Sequence, residues 1–183
     1  MVHRHAYNPI SRWLFRFGCQ SLVVVTSVLI SSSFGVTTEI KSFVAEITVQ
    51  KSSTTREEIK VKAEQIFWEG VKLFKESSEK SLAKALKKYE ESLQLWKHLE
   101  RKVNEKEKKD IWKKQATILN NIGRVYSSQR NLDLALNYYY QASNLSKEAS
   151  DKDGEATNLY NACVILKEKG DLNQALKCYI QVS

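Results

Sequence analysis

Residues that interrupt helices are scarce in this sequence. It contains a single proline, Pro9, and six glycines among 183 residues. Proline breaks helix interiors, and glycine and proline together mark most tight turns, so their scarcity favours a helical chain over a turn-rich β protein. Charged residues make up 27% of the chain and hydrophobic residues 42%, which is ordinary for a globular domain. The composition therefore predicts an all-α protein.

Side chains that support metal binding or acid–base catalysis are scarce as well. There are three histidines: His3 and His5 precede the long apolar run, and His98 stands alone in a charged segment. A metal site or a general base needs several converging partners. We therefore expect no catalytic residues, no metal site and no cofactor, and we expect that the protein is not an enzyme.

Positive charges exceed negative ones, and the net charge is +8. A basic surface is one property of nucleic-acid-binding proteins. However, acidic residues alternate with the lysines through Glu100–Asp110, a pattern typical of a solvated helix face that carries both signs. We therefore do not expect a nucleic-acid partner.

The N-terminal region has no acidic residue before Glu39. Three arginines precede an uncharged run over residues 17–38, whose centre, LVVVTSVLI, is followed by three serines. A basic start, a short apolar run and small residues are the layout of a secretory signal peptide. The run is also just long enough to cross a bilayer as an uncleaved anchor. We expect residues 1–38 to be a signal peptide or signal anchor, and the protein to be exported (periplasmic or extracellular) or held in the cytoplasmic membrane.

The stretch at residues 116–142, ATILNNIGRVYSSQRNLDLALNYYYQA, predicts two helices. The first apolar stripe, at helical spacing, consists of Leu119, Ile122, Gly123 and Tyr126. The second stripe consists of Leu132, Ala135, Leu136, Tyr139 and Ala142. Two antiparallel helices joined by a short turn bury much of each other's apolar face. The small residues Gly123 and Ala135 would let the two backbones approach closely.

This helical hairpin is repeated 40 residues later. Residues 116–143 and 156–183 are identical at ten aligned positions: Ala116/Ala156, Thr117/Thr157, Leu119/Leu159, Asn121/Asn161, Leu132/Leu172, Ala135/Ala175, Leu136/Leu176, Tyr139/Tyr179, Gln141/Gln181 and Ser143/Ser183. A fixed period of this length is typical of stacked supersecondary units. Cys163 and Cys178 fall on the two helices of the second copy. They would pair in an oxidising compartment, although the simpler interpretation is that each is a small packing residue.

These residues resemble the tetratricopeptide repeat (TPR), whose pattern is W-x2-L-G-x2-Y…A-x3-F…P. Ile122-Gly123 and Tyr126 occupy the L-G-x2-Y part, and Ala135 with Tyr139 occupies A-x3-F. The signal segment and the long period are similar to bacterial TPR arrays with a period of about 40 residues. Some such arrays end in a caspase-like peptidase domain called CHAT. The resemblance implies a helical-hairpin solenoid.

A first repeat precedes these two. Leu82, Ala85, Leu86, Tyr89 and Leu95 match Leu132, Ala135, Leu136, Tyr139 and Leu145 at an offset of 50. Thr54 and Thr55, each followed three residues later by a glutamate, predict a helix start. We expect a linker over residues 39–53, with a short strand as the alternative, and a TPR array over 54–183, divided at about 54–109, 110–150 and 151–183. A helix should begin after Asp110. The spacing of Trp68, Trp96 and Trp112 indicates core positions, with a ligand platform as the alternative.

The resemblance also implies a function. In TPR arrays the first helix of each pair lines a concave groove that holds an extended peptide or a partner helix. The side chains that would face the groove are Thr117, Asn120, Asn121, Arg124 and Ser128, followed by Thr157, Tyr160, Asn161 and Lys167. We expect a non-catalytic protein-interaction module with a protein or peptide ligand. The alternative is the N-terminal regulatory or truncated portion of a TPR–CHAT protein.

Two further partners are implied. A signal segment that stays uncleaved would place residues 17–38 in a membrane. The last predicted helix has no following helix in this sequence to cover Leu176, Tyr179 and Ile180, and solenoid ends need a polar cap. We therefore expect self-association through the C-terminal hairpin.

The export segment makes a testable prediction. Cells that express the full-length chain with a C-terminal tag are fractionated, and the tagged protein is followed by its size and compartment. A basic start ahead of an uncharged run should place it in the exported or membrane fraction. Uncut protein found wholly in the cytosol would contradict the prediction.

Overall fold

A computed structural model describes residues 36–101 and 103–182. These residues form helices and no strand, which confirms the all-α prediction for the described part of the chain. The six described helices are α1 (Val36–Lys75), α2 (Glu79–Glu100), α3 (Glu105–Ser128), α4 (Leu132–Glu148), α5 (Lys152–Glu168) and α6 (Leu172–Val182). Most of the predicted signal segment, residues 1–35, lies outside the described residues. None of the helices described is long and apolar enough to cross a membrane.

The chain consists of two units, Met1–Phe43 and Val44–Ser183. In the first unit, the described residues 36–43 are helical. The second unit contains the rest of α1 and the other five helices. These helices form a first pair (α1 and α2), a second pair (α3 and α4) and a third pair (α5 and α6). The pairs stack into a helical solenoid, as the repeat predicted.

The helix α1 begins earlier than the sequence patterns predicted. Residues 39–53, predicted as a linker, are helical, and the alternative of a short strand is wrong. The predicted helix start at Thr54 is also wrong. Neither proline nor glycine occurs between Gly35 and Gly70, so nothing in this segment stops a helix. The two threonine–glutamate pairs lie inside the helix, where backbone N–H groups already have partners and need no cap.

The helix α3 also begins earlier than predicted, at Glu105 instead of after Asp110. Its N-cap is Asn104, whose side chain accepts a hydrogen bond from the backbone N–H of Glu107 at 3.0 Å. The charged segment 97–114 therefore contains the end of α2, at Glu100, and the start of α3, at Glu105. The alternating charges did not predict where α2 ends and α3 begins, because residues of both signs are compatible with either solvated helix end.

One turn geometry recurs in the second and third pairs. A residue with a positive φ ends α3, α4 and α5; the three are Arg130 (60°), Ser150 (60°) and Gly170 (87°). Each next residue donates its N–H to a carbonyl five positions back, as Asn131 to Tyr126, Asp151 to Ser146 and Asp171 to Leu166. This is the Schellman pattern of helix termination. The side chains of Asn131 and Asp151 also cap the following helices. Helices α4, α5 and α6 therefore start at intervals of 20 residues.

Within the first and second pairs, a tyrosine ring lies directly on a glycine. A Cβ atom placed on Gly70 would lie 2.8 Å from Cε1 of Tyr89, and one on Gly123 would lie 2.8 Å from Cε1 of Tyr139. Burial raises the pKa of each of these tyrosines to about 12. Both rings are therefore neutral packing groups, and the glycines are required because any side chain would collide with them. The prediction that Gly123 allows close approach is confirmed.

The third pair joins its helices covalently. Cys163 lies 40 residues after Gly123, at the position where the other pairs have a glycine, and forms a disulfide with Cys178. Their Cα atoms are 5.4 Å apart. Both cysteines are also buried, as expected for small packing residues. The sequence interpretation favoured packing over pairing, whereas the structure shows both. A disulfide that closes a loop of about 15 residues contributes about 3 kcal/mol in the chain-entropy model.

Contacts between pairs show that the first helices run in the same direction. Along the C-terminal half of α1, Arg56 contacts Glu107 (3.9 Å), Glu64 contacts Lys114 (2.7 Å) and the Phe74 ring contacts Arg124 (4.7 Å). The offset is 50 or 51 residues in each case, so α1 and α3 are parallel and in register over this length. Hydrogen bonds to Glu100 join α2 to α3, from the indole of Trp112 and the amide of Gln115, both at 2.8 Å.

The apolar stripe of α4 is partly covered, whereas that of α6 is exposed. Leu132 and Leu136 pack against the cluster that contains Ala162 and Ile165 of α5. Their counterparts 40 residues later, Leu172 and Leu176, are 63% and 62% exposed, and Ile180 is 67% exposed. Tyr179 is only partly buried. The exposure expected for Leu176 and Ile180 is confirmed.

The close packing of α3 and α4 makes a prediction for Ala135, which has no exposed surface. Replacing it in Ala135→Leu should lower the free energy of unfolding by about 1–3 kcal/mol, because the added carbons have no room. The matched control is Ala83→Leu, which makes the same change at an exposed position of α2. Thermal unfolding measures both. Equal melting temperatures for Ala135→Leu and the parent would show that the two helices pack differently.

Candidate functional site

The nine residues predicted to face a groove lie on α3 and α5, the first helices of the second and third pairs. Three of them use their hydroxyl groups within their own helix. Thr117 donates to the carbonyl of Lys113 (2.9 Å), Ser128 to that of Arg124 (3.0 Å) and Thr157 to that of Asp153 (2.8 Å). Each of these hydroxyls can still accept a hydrogen bond from a ligand, but its proton is already engaged.

The asparagines are engaged more fully than the sequence indicated. Nδ2 of Asn161 donates to Oδ1 of Asn120 at 2.8 Å, which ties α5 to α3. Asn121 is 8% exposed; its Nδ2 donates to the carbonyl of Thr117 at 2.9 Å. Its Oδ1 accepts from Arg124 at 3.2 Å. The identical residues Asn121 and Asn161 therefore have different surroundings.

Arg124 is an exposed cation held by two contacts. Its guanidinium carbon lies 4.7 Å from the centroid of the Phe74 ring, and its Nη1 donates to Asn121. Among the ion pairs of the described residues, none joins a carboxylate to Arg124. A guanidinium has five N–H donors in a fixed plane, so most of them remain available to an anionic group.

A cleft of about 340 Å³ lies between α1 and α3. Its lining combines aromatic and aliphatic side chains with a few polar ones: Glu64, Phe67, Trp68, Val71, Trp96, Lys114, Thr117, Ile118, Asn121 and Arg124. Three of the nine predicted residues, Thr117, Asn121 and Arg124, therefore share one cleft. This volume is near the lower end of the range for ligand pockets.

The aromatic wall of this cleft was not predicted from the sequence. Trp68 was predicted to be a core residue, which is wrong, because 62% of it is exposed. The prediction is confirmed for Trp96, which is 5% exposed, and Trp112 is partly buried against Glu100. Helical spacing places Trp68 beside Phe67 and Val71 but does not say how closely α3 approaches. The position of α3 decides whether such a residue is covered.

The predicted residues of α5 lie apart from this cleft. Tyr160 is 52% exposed, and its ring meets that of Tyr179 edge-on at a centroid distance of 5.6 Å. Thr157 and Lys167 are exposed. None of these three side chains lines the cleft between α1 and α3. They extend the surface formed by the first helices toward the third pair, with the Asn120–Asn161 bond between the two regions.

No group of three or more side chains suited to metal binding occurs among the described residues. The polar groups of the cleft are one carboxylate, one lysine, one arginine and two neutral side chains. The lysine and the carboxylate, Lys114 and Glu64, are paired with each other at 2.7 Å. Such a set can hold a polar or charged ligand group beside an apolar one.

Comparisons with known proteins identify the repeat in the C-terminal part of the chain. Residues 114–183 match the family model of the tetratricopeptide repeat, which supports a TPR protein over the second and third pairs. The chain is also similar to the crystal structure of the de novo designed helical repeat protein DHR64, with 18% sequence identity, 69% of each chain covered and a TM-score of 0.49. A search of curated proteins gave no match.

Proposed function

We propose that this protein is a non-catalytic scaffold that binds an extended segment of a partner protein on its first helices α1, α3 and α5. The observation that carries the proposal is the open cleft between α1 and α3, which has an aromatic wall and an arginine without a carboxylate partner in the described chain. TPR arrays use this surface for protein recognition, and the family match covers α5 and most of α3. No cofactor or metal is part of the proposal.

The nine predicted residues take different parts in this proposal. Thr117, Asn121 and Arg124 belong to the cleft, and Asn120 and Asn161 hold the neighbouring helices together. The other four would contact a ligand that continues along the surface: Ser128, Thr157, Tyr160 and Lys167. Asn121 would act mainly by orienting Arg124, because its own amide is engaged at both ends.

The double variant Asn121→Ala/Asn161→Ala tests the groove. Twelve-residue peptides displayed on phage are selected on the full chain, and the affinity of each is compared between parent and variant. Loss of the contact that orients Arg124 and of the Asn120–Asn161 bond should weaken binding by about 1–3 kcal/mol, or about five- to 150-fold in Kd.

The matched control for this test is Asn144→Ala/Asn173→Ala, which removes two exposed asparagines from the second helices α4 and α6. It should bind like the parent. If the groove variant stays folded by circular dichroism and every selected peptide still binds it as tightly, the first helices are not the binding surface.

We also propose export, with residues 1–38 as a signal peptide or an anchor, residues 39–53 as a helical connection and residues 54–183 as the TPR array. The disulfide between Cys163 and Cys178 supports this localisation, because disulfides persist mainly in oxidising compartments. If residues 17–38 stay uncleaved, they would hold the protein at the cytoplasmic membrane.

The relation to long-period bacterial TPR arrays leaves one alternative proposal, that this array is the N-terminal regulatory or truncated portion of a TPR–CHAT protein. Its support is the resemblance of the repeats. The reading frame that follows Ser183 in the source genome distinguishes the two: an open frame that encodes a peptidase domain favours the alternative, and a stop codon opposes it.

The exposed face of α6 supports a further proposal, self-association through the third pair. Leu172 and Leu176 are each more than 60% exposed, and Lys177 is the one charged residue of α6. Interface cores are depleted in charge, so two copies of this face would meet with little repulsion. The leucines at the same positions of α4, Leu132 and Leu136, are partly covered by α5, which supports the pairing of such a stripe with a neighbouring helix.

Sedimentation of the full chain tests self-association. The parent should sediment as a concentration-dependent oligomer, and Leu172→Ser/Leu176→Ser should shift it to a monomer because the apolar contact is lost. The matched control is Val61→Ser, which changes a residue of α1 that is 61% exposed. A parent that stays monomeric at high concentration would show that this face does not pair with itself.

A further inference from the structure

We propose that the cleft between α1 and α3 recognises a short motif of a partner polypeptide in which an aliphatic or aromatic residue adjoins a carboxylate. The apolar side chain would insert beside Trp68, and the carboxylate would pair with Arg124. This inference rests on the proposed function, because it names the class of segment that the groove takes.

The apolar half of the motif follows from the wall of the cleft. Trp68 is 62% exposed, although it lies beside the buried Phe67 on the same helix. The two rings meet edge-on at a centroid distance of 5.3 Å, which restricts the orientation of the indole. Trp96, from α2, lies beneath. An exposed indole beside a buried apolar surface is the kind of group that contributes most to protein interfaces.

The acidic half follows from the charges of the cleft. Lys114 and Glu64 neutralise each other at 2.7 Å. Of the two cations in the cleft, Arg124 is the one that forms no ion pair with a carboxylate of the described chain, and Phe74 and Asn121 hold its guanidinium in place. An apolar ligand that covered this guanidinium would remove water from it without compensation, whereas a carboxylate would form charge-assisted hydrogen bonds.

The size of the cleft places the two halves on neighbouring residues. Trp68 and Arg124 line the same space of about 340 Å³, and an extended chain advances about 3.3 Å per residue. The apolar side chain and the carboxylate must therefore come from residues that are adjacent or nearly so. Asn120 and Asn161 join α3 to α5. The exposed side of these two helices is therefore continuous, and the ligand would continue along it beyond the cleft.

The test uses the full chain labelled with ¹⁵N and capped heptapeptides of glycine and serine with Leu-Glu, Leu-Gln or Ala-Glu at the centre. The signal of the Trp68 indole N–H, assigned by its loss in Trp68→Phe, reports binding. Leu-Glu should shift this signal, and Leu-Gln and Ala-Glu should bind at least about fivefold more weakly. Added salt should weaken Leu-Glu binding more than Leu-Gln binding.

A mutant cycle identifies the cation. Arg124→Gln should reduce the affinity for Leu-Glu to that for Leu-Gln and leave Leu-Gln binding nearly unchanged. The matched control is Arg101→Gln, which removes the same charge from an exposed residue outside the cleft and should change nothing. Octanoate, a carboxylate with an apolar tail but no peptide backbone, should bind more weakly than Leu-Glu. Equal or tighter octanoate binding would assign the cleft to small amphiphiles and overturn the polypeptide motif.

The remaining outcomes separate this inference from the proposed function. Equal affinities for Leu-Glu and Leu-Gln, or a Trp68 signal that no peptide shifts, would overturn the motif. If phage-selected peptides still lose affinity in the asparagine double variant but not in Arg124→Gln, the scaffold function holds and the motif is wrong. If they bind the asparagine double variant as tightly as the parent, the groove itself is wrong.

Discussion

Direct contact between a tyrosine ring and a glycine sets the distance between the helices of a pair, and the stacking of the pairs depends on that distance. Tyr89 rests on Gly70 and Tyr139 on Gly123 with almost the same spacing. Helices that approach equally closely form units of similar shape, so successive units can bury one another's faces. The third pair reaches close approach through Cys163 and Cys178, with a covalent bond in place of ring packing.

The cleft is a consequence of how neighbouring first helices are joined. Between α3 and α5, the Asn120–Asn161 hydrogen bond closes the gap at mid-height. Between α1 and α3, two of the side-chain contacts are Glu64–Lys114 and, ten residues further along each helix, Phe74–Arg124. The space between those contacts is the cleft of about 340 Å³. The cleft therefore lies between two side-chain contacts that join parallel helices.

The sequence predicted the elements that repeat and missed those that do not. The small residues and tyrosines recur because each pair solves one packing problem, and this periodicity located the hairpins. The start of α1 carries no such signal. The residues before Thr54 contain no proline or glycine after Gly35, so the helix extends through the segment that was predicted to be a linker. The cleft could not be predicted because the register of α1 against α3 depends on the connections that follow α1 and α2, which fall outside the 40-residue period. Arg124 was recognised as exposed and basic, but its fixing by Phe74 required the structure.

The disulfide matters most for α6 because few residues of this helix are buried. Of its described residues, only Ala175 and Cys178 are buried, whereas eight residues of α2 are buried. Few buried contacts give a low local free energy of opening, so the bond to Cys163 adds to the packing of α6 on Leu159 and Leu166. Leu172 and Leu176 lie on the same helix, and the rigidity of that apolar face therefore follows the oxidation state of the pair. The same compartment that would favour the disulfide would also favour an ordered third pair.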